Sequence, residues 1–510
     1  MKILFTTVVA FVALATVYAC PNGQMRCGGK YPGGYSVCNH GKPVDFQCAS
    51  ATHCVQVGNY INCPTFDFSN YSRFMNIQPV VLDRHTIAQA IPWVCQAIQE
   101  ADSISLDFEF SGLGRLSDGS LRTDSHDIAE GNWNTRSSHL EQRYQAYRNV
   151  VQTHSLLSFG LCVFRRCLAS DDDNDKGGLK YQVTTIDIRL YRGDTCLVDP
   201  RSLHFLTQHG FDLTETFRHG IPYYPAGQSD VLSEGAGVAK RTRRKYNKSA
   251  GDSHSPVEKN EVASEISHLR TLMQTLIFPG SGRTPAPLVL HNGWLDLMFL
   301  YHSFYAPLPP SLGTFLVDLH DMFPNGIYDT KYLADYVVRV DRSFLLYLYV
   351  KQARQYSPGD WSDPITSAQD IGLMFCRQYM NHGMCSLGEE CPRSHDVVTY
   401  LATQEQNSKP TQPGESIIIE AITPPFLKTE RPVQHCPTHP VGTGAHSSGM
   451  DAFMTNYIFT TYQNMLSKDK LQSARNQLYV MFKDTSLLIT PSQFSTFSPD
   501  HARKRQTREK

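Results

Sequence analysis

Two sets of side chains in this sequence have the type and spacing to do chemistry, and both would do it by holding metal ions. Cys376, Cys385, Cys391 and His395 follow one another as Cys-x8-Cys-x5-Cys-x3-His. Three thiols and one imidazole complete a tetrahedral zinc site with no coordination position left open, so the ion would be structural. It would also supply most of the folding energy of so short a segment. The second set is acidic. In Ile104-Ser105-Leu106-Asp107-Phe108-Glu109-Phe110 polar and apolar residues alternate, so a strand here sends Leu106, Phe108 and Phe110 to one face and Asp107 with Glu109 to the other. Taken alone, those residues slightly favour a half-exposed edge strand with solvated acids. Two more acids shift the balance. Asp296 follows the strand-like Pro287 to His291 and the turn residue Gly293, and Asp451 follows His446-Ser447-Ser448-Gly449-Met450. Each stands in the first turn of an expected helix, where the helix dipole favours a negative charge. Asp296 also lies among apolar neighbours that make an unpaired carboxylate costly. Helix capping is the plain alternative for both.

The elements that must carry these residues read as an α/β layered core. From Val80 onward strand-like and helix-like segments alternate. Ser155 to Phe164 and Tyr181 to Leu190 look like two strands of an antiparallel hairpin across the Asp/Gly-rich turn at Asp171 to Gly178, and the apolar residues after Asp451 recur at helical spacing through Met465. His291 and His302 have no motif partner and read as structural. The chain has 510 residues, room for roughly two to four domains. With 41% hydrophobic and 19% charged residues and a net charge of −1, the composition is that of a globular protein and does not by itself point to nucleic acid. Cations are concentrated in Lys240 to Lys245 and in Arg503-Lys504-Arg505, either as sites for phosphates or an import receptor or as solvated loops.

Residues 1–19 have the cationic start, apolar run and small-residue end of a secretory leader, too short for a membrane span. Six of the 14 cysteines (Cys20, Cys27, Cys38, Cys48, Cys54 and Cys63) crowd residues 20–65 as a disulfide-type module. The zinc pattern instead requires reduced thiolates. Residues 226–261 and 403–444, rich in Gly, Pro, Ser and charge, read as a flexible basic insertion and a linker.

Four segments, "SLDFEFSGLG", "LVLHNGWLDLMFLY", "FPNGIYDTKYLADY" and "HSSGMDAFMTNY", occur in that order, supported by "LEQRYQAY" and "FLTQHGFDLTETFRHGIPYY". Together they resemble the DEDD-type poly(A)-specific ribonucleases, a family of deadenylases, from about Val80 to Tyr462. The resemblance implies an RNase H-like DEDD exonuclease fold, with a mixed central sheet flanked by helices, over residues 80–355 and 445–490. The zinc segment 370–397 would be inserted between them. It implies that Asp107, Glu109, Asp296 and Asp451 are the four acidic metal ligands and that His446 is the histidine of the DEDDh subclass.

Two Mg²⁺ ions would be the catalytic cofactor, because phosphodiester hydrolysis needs a nucleophile at neutral pH and a stabilised leaving oxygen, and hard cations prefer oxygen ligands. In that scheme Asp107 bridges the ions, Glu109 and Asp451 hold the one that activates water, Asp296 holds the other and His446 accepts the proton. The expected activity is stepwise 3′→5′ removal of A-rich RNA tails with release of 5′-AMP, from messengers or from small nuclear RNA precursors. "CRQYMNHGMCSLGEECPRSH" resembles a CCCH finger through Arg377, Tyr379, Gly383 and Gly388 as well as its ligands. Such fingers bind single-stranded RNA, which makes Phe375 and Tyr379 candidates for stacking on bases unless they pack around the zinc.

The family likeness implies a nuclear protein, and Lys240 to Lys245 fits an import receptor, whereas the leader would send the chain to the secretory pathway. Two other functions remain to be weighed. One is a zinc-finger RNA-binding adaptor with an inactive nuclease domain, which a missing ligand would favour. The other is a secreted disulfide-rich interaction protein, which rests on residues 1–63 alone.

Overall fold

The computed structural model describes residues 77–113, 139–167, 178–227, 256–278, 285–357, 375–388, 391–406, 416–422, 424, 447–481 and 483–508, together with backbone strands within 25–62. The leader, the side chains of the Cys-rich module and the Lys240 to Lys245 run lie outside these residues. The chain divides into two compact units, Tyr71–Trp361 with Gln412–Lys510, and Met1–Asn70 with Ser362–Thr411.

The larger unit is built on one eight-stranded sheet. Its strands are β1 (Val80–Leu82), β2 (Ser103–Phe110), β3 (Leu156–Arg166), β4 (Gly178–Arg192), β5 (Ile221–Tyr223), β6 (Leu288–Leu290), β7 (Ile327–Asp329) and β8 (Ser416–Ala421). The order β5-β4-β3-β2-β6-β7 is mixed: β2, β3 and β4 are antiparallel neighbours, while β6 runs parallel to both β2 and β7. The outer edge of the long β4 is tiled by three short parallel strands, β8 at residues 178–183, β1 at 186–188 and β5 at 190–192.

Helices cover both faces. Among them are α1 (Ile87–Gln99), α2 (Leu140–Thr153), α3 (Pro256–Ile277), α4 (Trp294–Leu300), α5 (Leu312–Met322), α6 (Leu345–Tyr356), α7 (Ser448–Met465) and α8 (Pro499–Arg508). The α/β layering with a mixed sheet flanked by helices is the one the sequence implies.

β2 shows why alternation matters here. Ile104, Leu106 and Phe108 enter a hydrophobic core with Ile91, Val94, Leu272 and Leu276 of α1 and α3. Phe108 stacks on Phe159 at 4.8 Å, and Phe110 on Phe299 of α4 at 4.5 Å. The other face is largely covered too, with Asp107 partly open to solvent. The helix α7 lies across β2, β3 and β4, with α6 packed behind it. Ser103 donates to Asn456 Oδ1 (2.7 Å), Ser105 donates to the Ala452 carbonyl (2.6 Å), and Asn456 Nδ2 donates to the carbonyls of Ser103 and Cys162. A face that alternation alone would leave to solvent is a hydrogen-bonded seam, and β2 is a central strand rather than an edge. Sandwiched in this way, α7 is buried from Ala452 to Tyr462 around most of its circumference.

Three sequence boundaries differ from the structure. The stretch 403–444, expected to be linker, contains β8, whose Ile417 is buried against the sheet; Ser-Ile-Ile-Ile-Glu-Ala is a strand by residue type, but it is short and surrounded by proline and polar residues. The insertion expected over 226–261 gives way to α3 at Pro256. The larger unit, expected to end at 490, extends beyond it, because α8 buries His501, whose ring nitrogens meet Tyr305 Oη (2.7 Å) and Asp321 (3.0 Å). Within α8, Arg503 pairs with Asp500 (3.1 Å) and Arg505 lies 3.9 Å from Asp321, so this basic tail is a folded helix. No helix among the described residues is long and apolar enough to cross a membrane.

Candidate functional site

The acids converge where strand ends and helix starts meet. Asp107 and Glu109 come from β2, on the face covered by α7, and Asp451 from the first turn of α7; their carboxylate oxygens lie within 4.8 Å of one another. Ser447 begins the helix by accepting from the Met450 N–H, and Asp451 N–H donates to the Ser447 carbonyl at 2.9 Å. Asp296 reaches the same place by another route. β6 lies beside β2, Asn292 turns the chain at φ +60°, and α4 starts with Asp296 in its first turn. The Asn292 N–H donates to Asp329 Oδ1 at 2.8 Å, which fixes this turn against the end of β7. Asp296 is outside the 4.8 Å triad, yet it acts on the charges of both Asp107 and Glu109.

Electrostatics show what the arrangement lacks. Burial, followed by the charges of Asp451, Asp296, Glu109 and Asp187, holds the Asp107 carboxyl well above the usual range. Glu109 is raised by burial and by Asp451, Asp187 and Asp296. Burial raises Asp451 to about 7, with Asp187 adding to it. Burial also raises Asp296 to about 7; its own backbone N–H and that of Phe108 oppose the shift, and Asp329 adds to it. No ion pair reaches any of the four among the described residues. Like charges this close are stable only when protonated or when a cation compensates them. An all-oxygen donor set with partial access from outside fits a hard divalent cation.

The second cluster is local. Sγ of Cys376, Cys385 and Cys391 and a ring nitrogen of His395 lie within 4.8 Å of one another. Cys376 and Cys385 sulfurs are 3.7 Å apart, close to the about 3.8 Å that tetrahedral bonds of about 2.3 Å to one ion would give. His395 Nε2 is buried without a hydrogen-bond partner. These observations fit a thiolate-bound ion. The Cys376 N–H bonds to the Ser394 carbonyl (2.9 Å), Cys376 caps the short helix Arg377–His382, and Gly383 ends that helix at φ +72°.

The two rings expected to meet bases already have partners. Tyr379 lies flat on the His395 ring, with centroids 4.2 Å apart and planes 7° from parallel, and Phe375 packs edge-on to Tyr400 at 5.3 Å. Short modules with little core recruit their aromatics to wall the ion, and that favours the packing role over a free stacking platform. Arg377, Gln378, His382 and Arg393 are exposed and line a hollow beside the cluster.

A family model for CAF1 family ribonucleases matches residues 82–459. The chain belongs to the CAF1 ribonuclease family. The match spans every carboxylate above and the Cys₃His cluster. The chain is 29% identical over 159 residues to the poly(A)-specific ribonuclease PARN of Danio rerio, a match covering 30% of this chain and 21% of that protein. It is 21% identical over 372 residues to the poly(A)-specific ribonuclease PNLDC1 of Mus musculus, covering 57% of this chain and 65% of that one. The alignment with PARN thus spans about a fifth of that relative's length. Among solved structures, S. pombe Pop2p is 15% identical with a TM-score of 0.33, covering 55% of this chain and 83% of that one.

Of the residues singled out in sequence, Asp107, Glu109, Asp296 and Asp451 are brought to one place, as are Cys376, Cys385, Cys391 and His395. His446 lies outside the described residues. His291 is partly buried, with Nδ1 2.8 Å from Thr330 Oγ1, and desolvation together with the Lys331 charge lowers its pKa well below the ordinary value. His302 is likewise pushed down by burial, to about 4. One carboxylate beside this site escaped notice in the sequence: Asp187, on β4. Its setting, Thr185-Ile186-Asp187-Ile188-Arg189, is an ordinary alternating strand, and only strand register exposes it. Asp107 pairs with Gly160 on β3, and Gly160 with Asp187 on β4, so the two acids stand in one row.

Proposed function

We propose that the chain is a divalent-metal-dependent 3′→5′ exoribonuclease that shortens A-rich RNA tails and releases 5′-AMP. The observation that carries this reading is the meeting of Asp107, Glu109 and Asp451 within 4.8 Å, with Asp296 beside them and no cation paired to any of the four among the described residues. Family membership and relatives named poly(A)-specific ribonuclease support the substrate class.

Asp107, Glu109, Asp296 and Asp451 would hold two Mg²⁺ ions, which when bound lower the pKa of water and stabilise charge on a leaving oxygen. Rigid placement is the protein's part: Asp107 and Glu109 are fixed by the central strand, Asp451 and Asp296 by helix starts. In the reaction, water oxygen bonds to the phosphorus of the 3′-terminal linkage and the bond from phosphorus to the preceding 3′ oxygen breaks. His446 takes the proton from water, and the leaving 3′ oxygen ends protonated. The Cys₃His module, with Zn²⁺, would grip single-stranded RNA, its exposed Arg377 and Arg393 meeting phosphates. Work on RNA tails in the nucleus, with Lys240 to Lys245 serving import, completes the reading.

The test is a time course on 5′-labelled and 3′-labelled A-tailed RNA with Mg²⁺, comparing the full chain with Asp107→Ala and His446→Ala. Stepwise shortening with AMP release, lost in both variants, is expected. RNA that is bound but never shortened by the unmodified chain would replace this reading with that of an RNA-binding adaptor.

A further inference from the structure

We propose that Asp187 is the positioning residue that docks the start of α7 on the sheet, and so brings Asp451 to Asp107 and Glu109. The proposal takes those three acids as divalent-metal ligands and names what aligns them. Two of the three ride on one strand, so their spacing is set by the backbone of β2. The third comes from a helix much later in the chain, and something must fix where that helix begins.

Asp187 makes contacts suited to that task. Its Oδ1 accepts from Ser158 Oγ of β3, and its Oδ2 accepts from Ser447 Oγ at 3.0 Å and from the Gly449 N–H at 3.4 Å. Ser158 Oγ lies 2.6 Å from Ser448 Oγ. The carboxylate and its neighbouring serine thereby hold three consecutive residues at the head of α7. Ser447 is the pivotal one. Its oxygen accepts from the Met450 N–H as the helix cap, its hydrogen goes to Asp187, and its carbonyl accepts from the N–H of Asp451 itself. One residue therefore connects Asp187 to Asp451 through directed bonds.

The sheet is cut to receive the helix at this point. A Cβ on Gly160, the residue between Asp107 and Asp187 in the row, would stand 1.9 Å from the Ser448 carbonyl oxygen. A Cβ on Gly449 would stand 2.9 Å from the Ile186 carbonyl oxygen and 3.2 Å from Asp187 Cβ. Close approach needs both glycines, and Asp187 supplies the acceptor where they let the backbones meet.

The location carries an electrostatic cost, since Asp187 pushes against Asp107, Glu109 and Asp451. It is outside the set of oxygens that converge within 4.8 Å, and both its own oxygens are engaged by donors. Anchoring, rather than ligation, is the use its geometry allows. A misplacement of about 1 Å in such a constellation is enough to cost about a hundredfold in rate.

The experiment compares the full chain with Asp187→Ala and Asp187→Asn in three assays: Mn²⁺ titration followed by electron paramagnetic resonance without RNA, hydrogen exchange of amides 449–453, and kcat and KM on A-tailed RNA. Asp187→Ala is expected to weaken Mn²⁺ binding about tenfold and to speed exchange at the head of α7 while α1 and α6 stay protected, with kcat falling and KM little changed. Asp187→Asn keeps one acceptor oxygen, for Ser447 and Gly449, and its amide NH₂ can donate to Ser158 Oγ in place of the bond it accepted, so it should restore slow exchange and most of the Mn²⁺ affinity. If Asp187→Ala does not fold, Ser158→Ala, which removes one donor, should give faster exchange at 449–453 alone.

Wild-type exchange and Mn²⁺ affinity in Asp187→Ala would overturn the proposal. So would an Asp187→Asn variant that keeps slow exchange but binds Mn²⁺ as poorly as Asp187→Ala, since that would make the charge a ligand. Failure of the unmodified chain to shorten RNA would count against the ribonuclease reading only, because the exchange and Mn²⁺ assays need no RNA.

Discussion

The two clusters of ligand-type side chains in this chain are built on opposite plans. The carboxylates come from a central strand and from two helix starts far away in sequence, and they sit on a sheet whose hydrophobic core exists without them. The Cys₃His cluster is contained in residues 376–395, joined by one short helix and a few turns. In the first, the fold is the cause and the site the result. In the second, an ion bound by the four residues would be what folds the segment. Removing metal should therefore silence one site and dissolve the other.

The largest effect that would break this comparison is catalytic. Asp107→Ala should lower RNA shortening by about a thousandfold or more, as expected for losing several kcal/mol of charge stabilisation, while circular dichroism and the thermal midpoint stay close to wild type. A variant that instead unfolds would mean that the acid supports the sheet. Cys391→Ser, or a zinc chelator, should do the reverse. Residues 375–395 are expected to lose nearly all hydrogen-exchange protection, since such sites draw roughly 10 kcal/mol or more from the ion, while the β2 and β3 amides remain protected. Retained protection in the Cys₃His segment after complete metal removal would show that it has a core of its own.

A third, smaller effect sharpens the account of the carboxylate site. Gly160→Ala places a methyl group against the Ser448 carbonyl. Overpacking of this kind costs about 1–3 kcal/mol, which urea denaturation would read, and Mn²⁺ affinity should fall with it. Unchanged affinity would mean that α7 can shift without moving Asp451.

The smallest effect is a slope with pH. Asp296 and Asp451 titrate near pH 7 in the folded chain, against 3.8 for the ordinary group, with burial the main cause. A carboxyl raised on folding adds stability that is complete below the unfolded value and lost as pH rises through the folded one. Without metal, the thermal midpoint should fall between about pH 4 and pH 7, and Mg²⁺ should reverse the fall at the upper end. A flat profile without metal would mean that these acids are already compensated.

Much of the site was legible because its residues sit in strong local patterns. Alternation placed Asp107 and Glu109 on one face, helix-start signals placed Asp296 and Asp451, and thiol spacing marked the cluster at 376–395. Where reading failed, the local pattern was ordinary. Ser416–Ala421 is strand-like, but proline-rich surroundings hid the partner it finds on β4. For Phe375 and Tyr379 local sequence left stacking on bases and packing around the cluster both open, and the contacts with Tyr400 and His395 appear only in the folded chain.

By itself, then, the sequence determined the residue types: acids fit for hard cations, thiols for a soft one, glycines where backbones must touch, and the periodicities that make strands and helices. These are properties of a residue and its near neighbours, and they survive without tertiary context. Only the tertiary structure decided that the polar face of β2 would be covered by α7 instead of water. It alone set Asp107, Gly160 and Asp187 in one row and made Asp187 a partner of Ser447. The physical reason is register: hydrogen-bonded pairing between distant strands, and the docking of a distant helix upon them, fix which side chains meet, and no local pattern encodes that choice.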